Sequence, residues 1–442
     1  MTEWINRLAI GCTLSLCLPF CSRAQPKKEE LRSDLVLYQK RVSLARDLQK
    51  RVIGSTFTMP PDSNTEYKYE SACHAISQFL FRSPSVDQGF GYLFAGYDSL
   101  SHYTKEAFLE AVYAVGRKDF AGPVGEIVEK ETDPGLFTLA AVYLYRANPS
   151  TDHANELKIR MVEKFPGYDT IPVLDELGRY LSYHERNVQG KTPDIAELFA
   201  WRTGLKTLYS FQRWDRDYPG LAVMQNADGS MVRDADGRVA VFRQLARSGP
   251  DLPYFITDGS TPQGIYSIQG WALSHTPYIG PTPNIQLILP FEDAWTRFFH
   301  LERSENGQEH GESGGTSDSL RRYQSLLPPD WREYAPMMEA WAAGHIGRSE
   351  IIAHGSTIDP AYFSGLPFYP LTPTMGCLCA EELWNPMSGH LISSEQFNLV
   401  SAFLSTPGVK GYLYVINVDD QRSAVSREEV EGWVQRFERV KK

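Results

Sequence analysis

Positive charge is the first thing this sequence has little of. Lysine and arginine total 44 against 54 aspartates and glutamates, a formal net charge of −10. That balance works against a nucleic-acid polyanion, and no nucleic acid is expected as a partner. Long apolar runs are also missing. Near the N-terminus the run from Leu8 to Phe20 is too short to cross a bilayer as a permanent helix. Arg7 precedes it and Ser-Arg-Ala closes it, with Ser22 and Ala24 at the small-residue positions before Gln25. This is the pattern of a secretory signal peptide, cleaved after Ala24. Lipidation at Cys12, Cys17 or Cys21 is the rival reading; Leu16 and Phe20 are bulky for it, and Cys12 comes very early. An exported chain is expected, in the periplasm or the cell envelope.

Cysteine is scarce as well. Of six, three lie in the expected leader, which leaves Cys73, Cys377 and Cys379. An odd number in an oxidising compartment leaves at least one outside any intrachain disulfide. Cys377 and Cys379 are too close in sequence to bridge without a strained ring. No second Cys/His pair stands at a zinc spacing, so no metal is expected. Glu309, His310 and Glu312 read as flexible surface residues.

At 442 residues, 42% of them hydrophobic and 22% charged, the chain reads as globular with two or more domains. After a Ser-Asp start at Ser33, Leu35, Tyr38, Val42, Ala45 and Leu48 share one helical face. Helical signals recur at Phe108, Val112 and Val115, at Val124, Ile127 and Val128, from Leu136 to Tyr145, at Leu157 and Met161, and at Leu174, Leu177 and Leu181. Proline punctuates most of the gaps, which suits an irregular helical bundle or a HEAT-like array; no repeated residue motif chooses between them. One more helix, from Lys191, completes an all-α region over 25–204. It is read as a support for the C-terminal half of the chain, or as a docking surface for a protein partner.

Beyond it the texture changes. Leu221 and Val223 precede Asp228-Gly229, and Val239 and Val241 follow Asp236-Gly237, which predicts β-hairpins. Strand signals continue at Gly264–Ile268, at Ile285, Leu287 and Leu289, and at Gly411–Val418. Ser393 and Gln396 form a capping box for a helix with Phe397, Val400 and Leu404 on one face. Ser426 and Glu429 cap a last helix, over 423–442, with Val430, Trp433, Val434 and Phe437 inward. The fold class is α+β. The stretch 303–347, flexible and then helix-like, reads as an insertion of the lid type, with Trp331, Tyr334 and Trp341 lining a groove.

The chemistry concentrates between Ser349 and Glu381. His354-Gly355 ends a short apolar run, and Thr374-Met375-Gly376-Cys377 comes next. A cysteine attacks a carbonyl as thiolate and needs a base or a positive neighbour to become one. A glycine before it lets the backbone bend so that amide N–H groups converge on an oxyanion. His275 is a second candidate base. Upstream lies Thr261-Pro262-Gln263-Gly264-Ile265-Tyr266, in which Pro262 and Gly264 shape a turn into a strand and Tyr266 packs near the site.

In this order the elements T-P-x-G-x-Y, H-G and [S/T]-x-G-C, then a helix and a strand, resemble the L,D-transpeptidase catalytic domain, over roughly residues 205 to 420, and 205–422 is read as that domain. The resemblance implies Cys377 as nucleophile, His354 as base, the N–H groups of Gly376 and Cys377 for the oxyanion, and Thr374 and Gly355 shaping the loop. It implies peptidoglycan stem peptides as substrate and no cofactor. An amine acceptor would cross-link, water would make an L,D-carboxypeptidase, and a decayed site would leave a cell-wall binding or scaffold protein. One position departs: the family's arginine two residues after the cysteine is Cys379 here. Cys379 then packs or supports the site, and Arg321 or Arg322 is left to supply the cation.

Overall fold

The computed structural model describes residues 25–185, 192–201, 203–301 and 316–440. The expected leader and the Glu309, His310 and Glu312 group lie outside them. Two compact units result: 38–185 with 248–259, and 25–37 with 192–247 and 260–440.

The first unit is helical, with helices at Tyr38–Arg46, Glu66–Phe79, Pro84–Gly96, His102–Gly116, Ala121–Lys130, Pro134–Ala147, Thr151–Lys164 and Pro172–Glu185. Ser83, Ser101, Asp133 and Ser150 cap four of them, each accepting a backbone N–H in the first turn. Pro84 and Pro134 occupy the first helical turn, where a missing N–H costs nothing. The Pro134–Ala147 helix is buried from Leu136 to Tyr145 and packs against the helices before and after it. Ser248–Gly259 belongs to this unit, not to the barrel domain expected for it: Leu252 and Phe255 are buried, and Phe255 packs on Tyr180 with ring centroids 5.4 Å apart.

The second unit is built on a closed barrel of eight strands. They are β1 (Lys206–Gln212), β2 (Gly220–Gln225), β3 (Val241–Leu245), β4 (Gly264–Ala272), β5 (Asn284–Ile288), β6 (Ala353–His354), β7 (Leu378–Ala380) and β10 (Gly411–Asn417). Their order is β1-β10-β4-β5-β6-β7-β3-β2, closed by β2 on β1. β1/β10 and β6/β7 are parallel, and the other pairs antiparallel. The expected turns are present: Gly229 and Gly237 hold the left-handed φ values of 80° and 76° that end the arms between β2 and β3.

β1 and β10 are buried along their whole length because alternate residues serve different cores. Leu208, Leu413 and Val415 join residues from all eight strands, as a barrel interior does. Tyr209, Phe211, Tyr412, Tyr414 and Ile416 pack instead with Phe199 and with Val430, Val434 and Phe437. These come from the helices Ile195–Ala200 and Arg427–Val440. The first of these helices therefore belongs to the barrel unit and not to the helical region. The C-terminal helix carries the expected capping box, Ser426 N–H to Glu429 Oε2 at 2.7 Å and Glu429 N–H to Ser426 Oγ at 3.2 Å.

Two further expectations change. Residues 31–36 do not begin a helix. Leu31 and Val36 bury against Trp384 and Leu391 of a small separate sheet, β8 (Glu382–Trp384) with β9 (Leu391–Ser394), and the helix starts at Tyr38, which is exposed. In the stretch expected to be a lid, Trp331 and Tyr334 are core residues rather than a groove lining, and Trp341 packs half-buried against the same core. Trp331 Nε1 donates to Asp194 O (3.3 Å), and Tyr323 OH donates to Met337 O while accepting Ile265 N–H, both at 2.8 Å. The described part of that stretch is thus tied to β4. After β9 the helix is Glu395–Leu404, capped by Ser394 rather than Ser393, and it buries Gln396, Leu399, Val400 and Phe403.

Candidate active site

β6 and β7 form the site's floor. Their parallel register sets His354 opposite Cys379 and Ala353 opposite Leu378, so Cys377 enters beside Ile352. Leu378 N–H donates to Ile352 O (3.0 Å) to hold that register.

The loop before Cys377 is fixed by its own side chains. Thr374 Oγ1 donates to Cys377 O (2.7 Å) and accepts Gly376 N–H (3.1 Å). Gly376 has φ 115°, a conformation that disfavours any side chain. Thr261, in the T-P-x-G-x-Y stretch, donates from Oγ1 to Gly376 O at 2.9 Å. The sequence reading gave that stretch a structural role only and missed this link; a hydroxyl beside a turn-forming Pro262 was the available signal. Because Gly376 N–H is engaged by Thr374, it is not presented to an oxyanion in this arrangement, contrary to expectation.

The thiol itself is partly exposed and bracketed by main chain. Ile352 N–H donates to Cys377 Sγ (3.4 Å), and the thiol donates to Glu350 O (3.6 Å). An N–H aimed at sulfur favours the thiolate. Glu350 is held at φ 61°, a left-handed value uncommon for a non-glycine residue, and its N–H is tied to Glu292 Oε1 at 2.8 Å. None of Cys73, Cys377 and Cys379 is in a disulfide. Cys379 is buried, near Thr372 Oγ1 at 3.5 Å, and burial pushes its thiol up to about 12. Its sulfur is enclosed, and burial disfavours its thiolate.

His354 is buried, and burial lowers its pKa to about 4. Its Nδ1 lies 2.5 Å from Gly355 O; a carbonyl only accepts, so the proton sits on Nδ1 and Nε2 carries the lone pair. Gly355 leaves the room that Glu382 fills: a Cβ there would fall on the carboxyl group of Glu382 and push it aside. The next two residues, Ser356 and Thr357, are pinned by Trp384 Nε1 to Ser356 O (3.0 Å) and by Thr357 N–H to Tyr278 O (2.9 Å). His275, the other candidate base, is exposed in the loop between β4 and β5.

Nothing matches from outside. No family model, no curated protein and no solved structure is similar to this chain.

Three guanidinium groups lie near the loop, and sequence reasoning missed them. Arg216 donates to Ala246 O (3.0 Å) and Thr261 O (3.2 Å), and Arg348 to Ser260 O (3.1 Å). Arg247 pairs with Asp217 at 2.5 Å and lies over Phe368, while its carbonyl accepts Thr374 N–H (3.3 Å). All three are largely buried. Arg321 and Arg322, the cations expected by default, instead pair with Asp318 on the helix Thr316–Ser325, each at 3.3 Å. Among the described residues there is no Cys, His, Asp and Glu grouping suited to a metal ion, and no helix long and apolar enough to cross a membrane.

Proposed function

We propose that this chain is a cysteine acyltransferase of the L,D-transpeptidase type, acting on peptidoglycan stem peptides. The observation that carries the reading is the Thr374–Cys377 loop. It is locked by Thr374 and Thr261, holds an accessible thiol under the Ile352 amide, and lies on the strand pair that carries His354. Cys377 attacks the amide carbonyl between the third, diamino-acid residue and D-alanine. The C–N bond breaks, D-alanine leaves with a proton, and a thioester on Cys377 remains. An amine of a second stem peptide then displaces the thiolate. His354, with Nε2 bare, takes the thiol proton and later deprotonates the acceptor. With Gly376 N–H occupied, the amide of Cys377 is the oxyanion donor on which the reading relies. Export after loss of residues 1–24 is part of the reading, and so is a supporting role, or a protein-docking role, for the helical region.

The test is product analysis with a stem tetrapeptide, with and without an acceptor amine. A cross-linked dimer requires the amine; a tripeptide formed without it marks an L,D-carboxypeptidase. Turnover retained in Cys377→Ala ends the assignment. The weak basicity of His354 favours one second reading, a cell-wall binding protein on an inactive site. Binding to sacculi with no acyl adduct on Cys377 would select it.

A further inference from the structure

Glu382 is a group beside the site that the thiol chemistry leaves unused. It stands on β8 opposite Ser394 of β9, and its carboxyl is buried although the residue as a whole is half-buried. Ser394 Oγ donates to Oε1 at 2.6 Å while also capping the helix Glu395–Leu404 through Phe397 N–H (2.8 Å). The Thr282 hydroxyl, the Ser356 main chain and the Trp384 indole also face the carboxyl and favour its ionised form, although Oε2 and Thr282 Oγ1 stand short of full hydrogen-bond geometry. A buried carboxyl ringed by polar groups in this way is held in one place against its neighbours.

The group it touches is Gly355, whose missing side chain makes the room the carboxyl fills. The carbonyl of that same glycine accepts the His354 Nδ1 proton. Trp384, two residues along β8, grips the next carbonyl, that of Ser356. The hairpin therefore holds the His354-Gly355-Ser356 backbone from one side at two consecutive residues.

We propose that Glu382 is a positioning residue for His354, acting through Gly355 to fix the imidazole's tautomer and, when ionised, to favour the imidazolium formed as Cys377 loses its proton. The inference rests on the proposed thiol chemistry. Burial raises the carboxyl to about 7, above its ordinary range, so its charge changes in the working range of pH. Of the titratable groups on the elements packed about it, Cys379 on β7 is raised and stays a thiol, and His354 on β6 stays neutral in the resting state. The neighbouring Glu381 pairs with Arg243 at 2.6 Å, and Glu395 begins the helix after Ser394.

The experiment compares the full chain with Glu382→Gln, which keeps the shape and the Ser394 contact but cannot ionise. The readout is the rate at which dithiodipyridine modifies Cys377, located by peptide mapping, from pH 5 to 9. This measures the thiol and not turnover, so it stands or falls separately from the substrate assignment. The ratio of wild-type to variant rate is expected near 1 below about pH 6 and to rise at least about threefold above pH 8, with its midpoint near 7. A ratio independent of pH, whether 1 or larger, overturns the proposal, since a purely structural loss would not track the carboxyl's ionisation. Gly355→Ala, which displaces the carboxyl without removing it, is expected to flatten the same pH-dependent ratio; an unchanged pH profile there also overturns it. Thermal melting establishes that both variants are folded.

Discussion

The resting state of Cys377 can be read from His354. An imidazole lowered to about 4 sits some 4.5 units below an ordinary thiol near 8.5. Proton transfer from thiol to imidazole is then uphill by about 6 kcal/mol before the pair attract each other. A favourable charge pairing worth about two units leaves roughly one molecule in 300 as thiolate and imidazolium. The account therefore predicts a neutral thiol and a neutral imidazole at rest, with the proton moved only once substrate has excluded water and placed its carbonyl. Iodoacetamide alkylation of Cys377, with peptide mapping from pH 4 to 10, measures this. The rate should stay low through pH 5–6 and climb with an inflection above about 7. A plateau of full reactivity between pH 5 and 7, as a preformed ion pair gives, would refute the reasoning, because it requires an imidazole far more basic than this buried one.

The same structure carries other expectations. Thr261→Val removes the hydroxyl that holds Gly376 O; a loss of about 1 kcal/mol in stability is expected by urea titration. Turnover should fall on the order of 10- to 100-fold as the cysteine loop shifts. Trp331→Ala, at a fully buried core position, should cost about 3–5 kcal/mol, whereas a lid residue would cost far less. The pH dependence of stability has a worked sign. His354, lowered from 6.5 to about 4, contributes stability that is present above pH 6.5 and lost as pH falls through 4. Glu382, raised from 4.5 to about 7, contributes stability that is present below pH 4.5 and lost as pH rises through 7. Each is worth about 3 kcal/mol, so the two offset between pH 4.5 and 6.5 in the native chain. Every tryptophan among the described residues lies in the barrel unit, so tryptophan fluorescence reports that unit's unfolding. In Glu382→Gln the unfolding free energy should rise by about 3 kcal/mol from pH 4 to 6.5; a flat profile would contradict the lowering of His354.

What the sequence made legible was local. The Ser426–Glu429 capping box, the Asp-Gly turns and the strand alternation of Ile285 and Leu287 depend on neighbours within a few positions, and each stands where expected. Thr374, placed as an organiser of the cysteine loop, makes both bonds that role requires. What could not be read depends on partners remote in sequence. Trp331 looks like any exposed tryptophan of an insertion until Asp194 O and the β-barrel aromatics are found around it. Leu35 and Tyr38 fit a helical stripe, yet Leu31 and Val36 bury more against Trp384 and Leu391. The helix Glu66–Phe79 went unremarked although Tyr69, Cys73, Ile76 and Phe79 of its buried face stand at helical spacing; the small Ala72, Ala75 and Ser77 between them dilute the hydrophobic contrast. Gly355 was read as part of a motif, but what its missing side chain makes room for is Glu382, on a small sheet the sequence did not announce. Arg216, Arg247 and Arg348 went unremarked because no spacing links them; only the fold brings them near residues 246, 260 and 374.

The central claim is that Cys377 becomes acylated. Intact-mass spectrometry of the protein incubated with a stem tetrapeptide, together with peptide mapping, tests it most directly. The account predicts a tripeptidyl thioester on Cys377, with one D-alanine released for each adduct and no adduct in Cys377→Ala. A folded, reduced protein that stays unmodified, or an adduct on another residue, would contradict it.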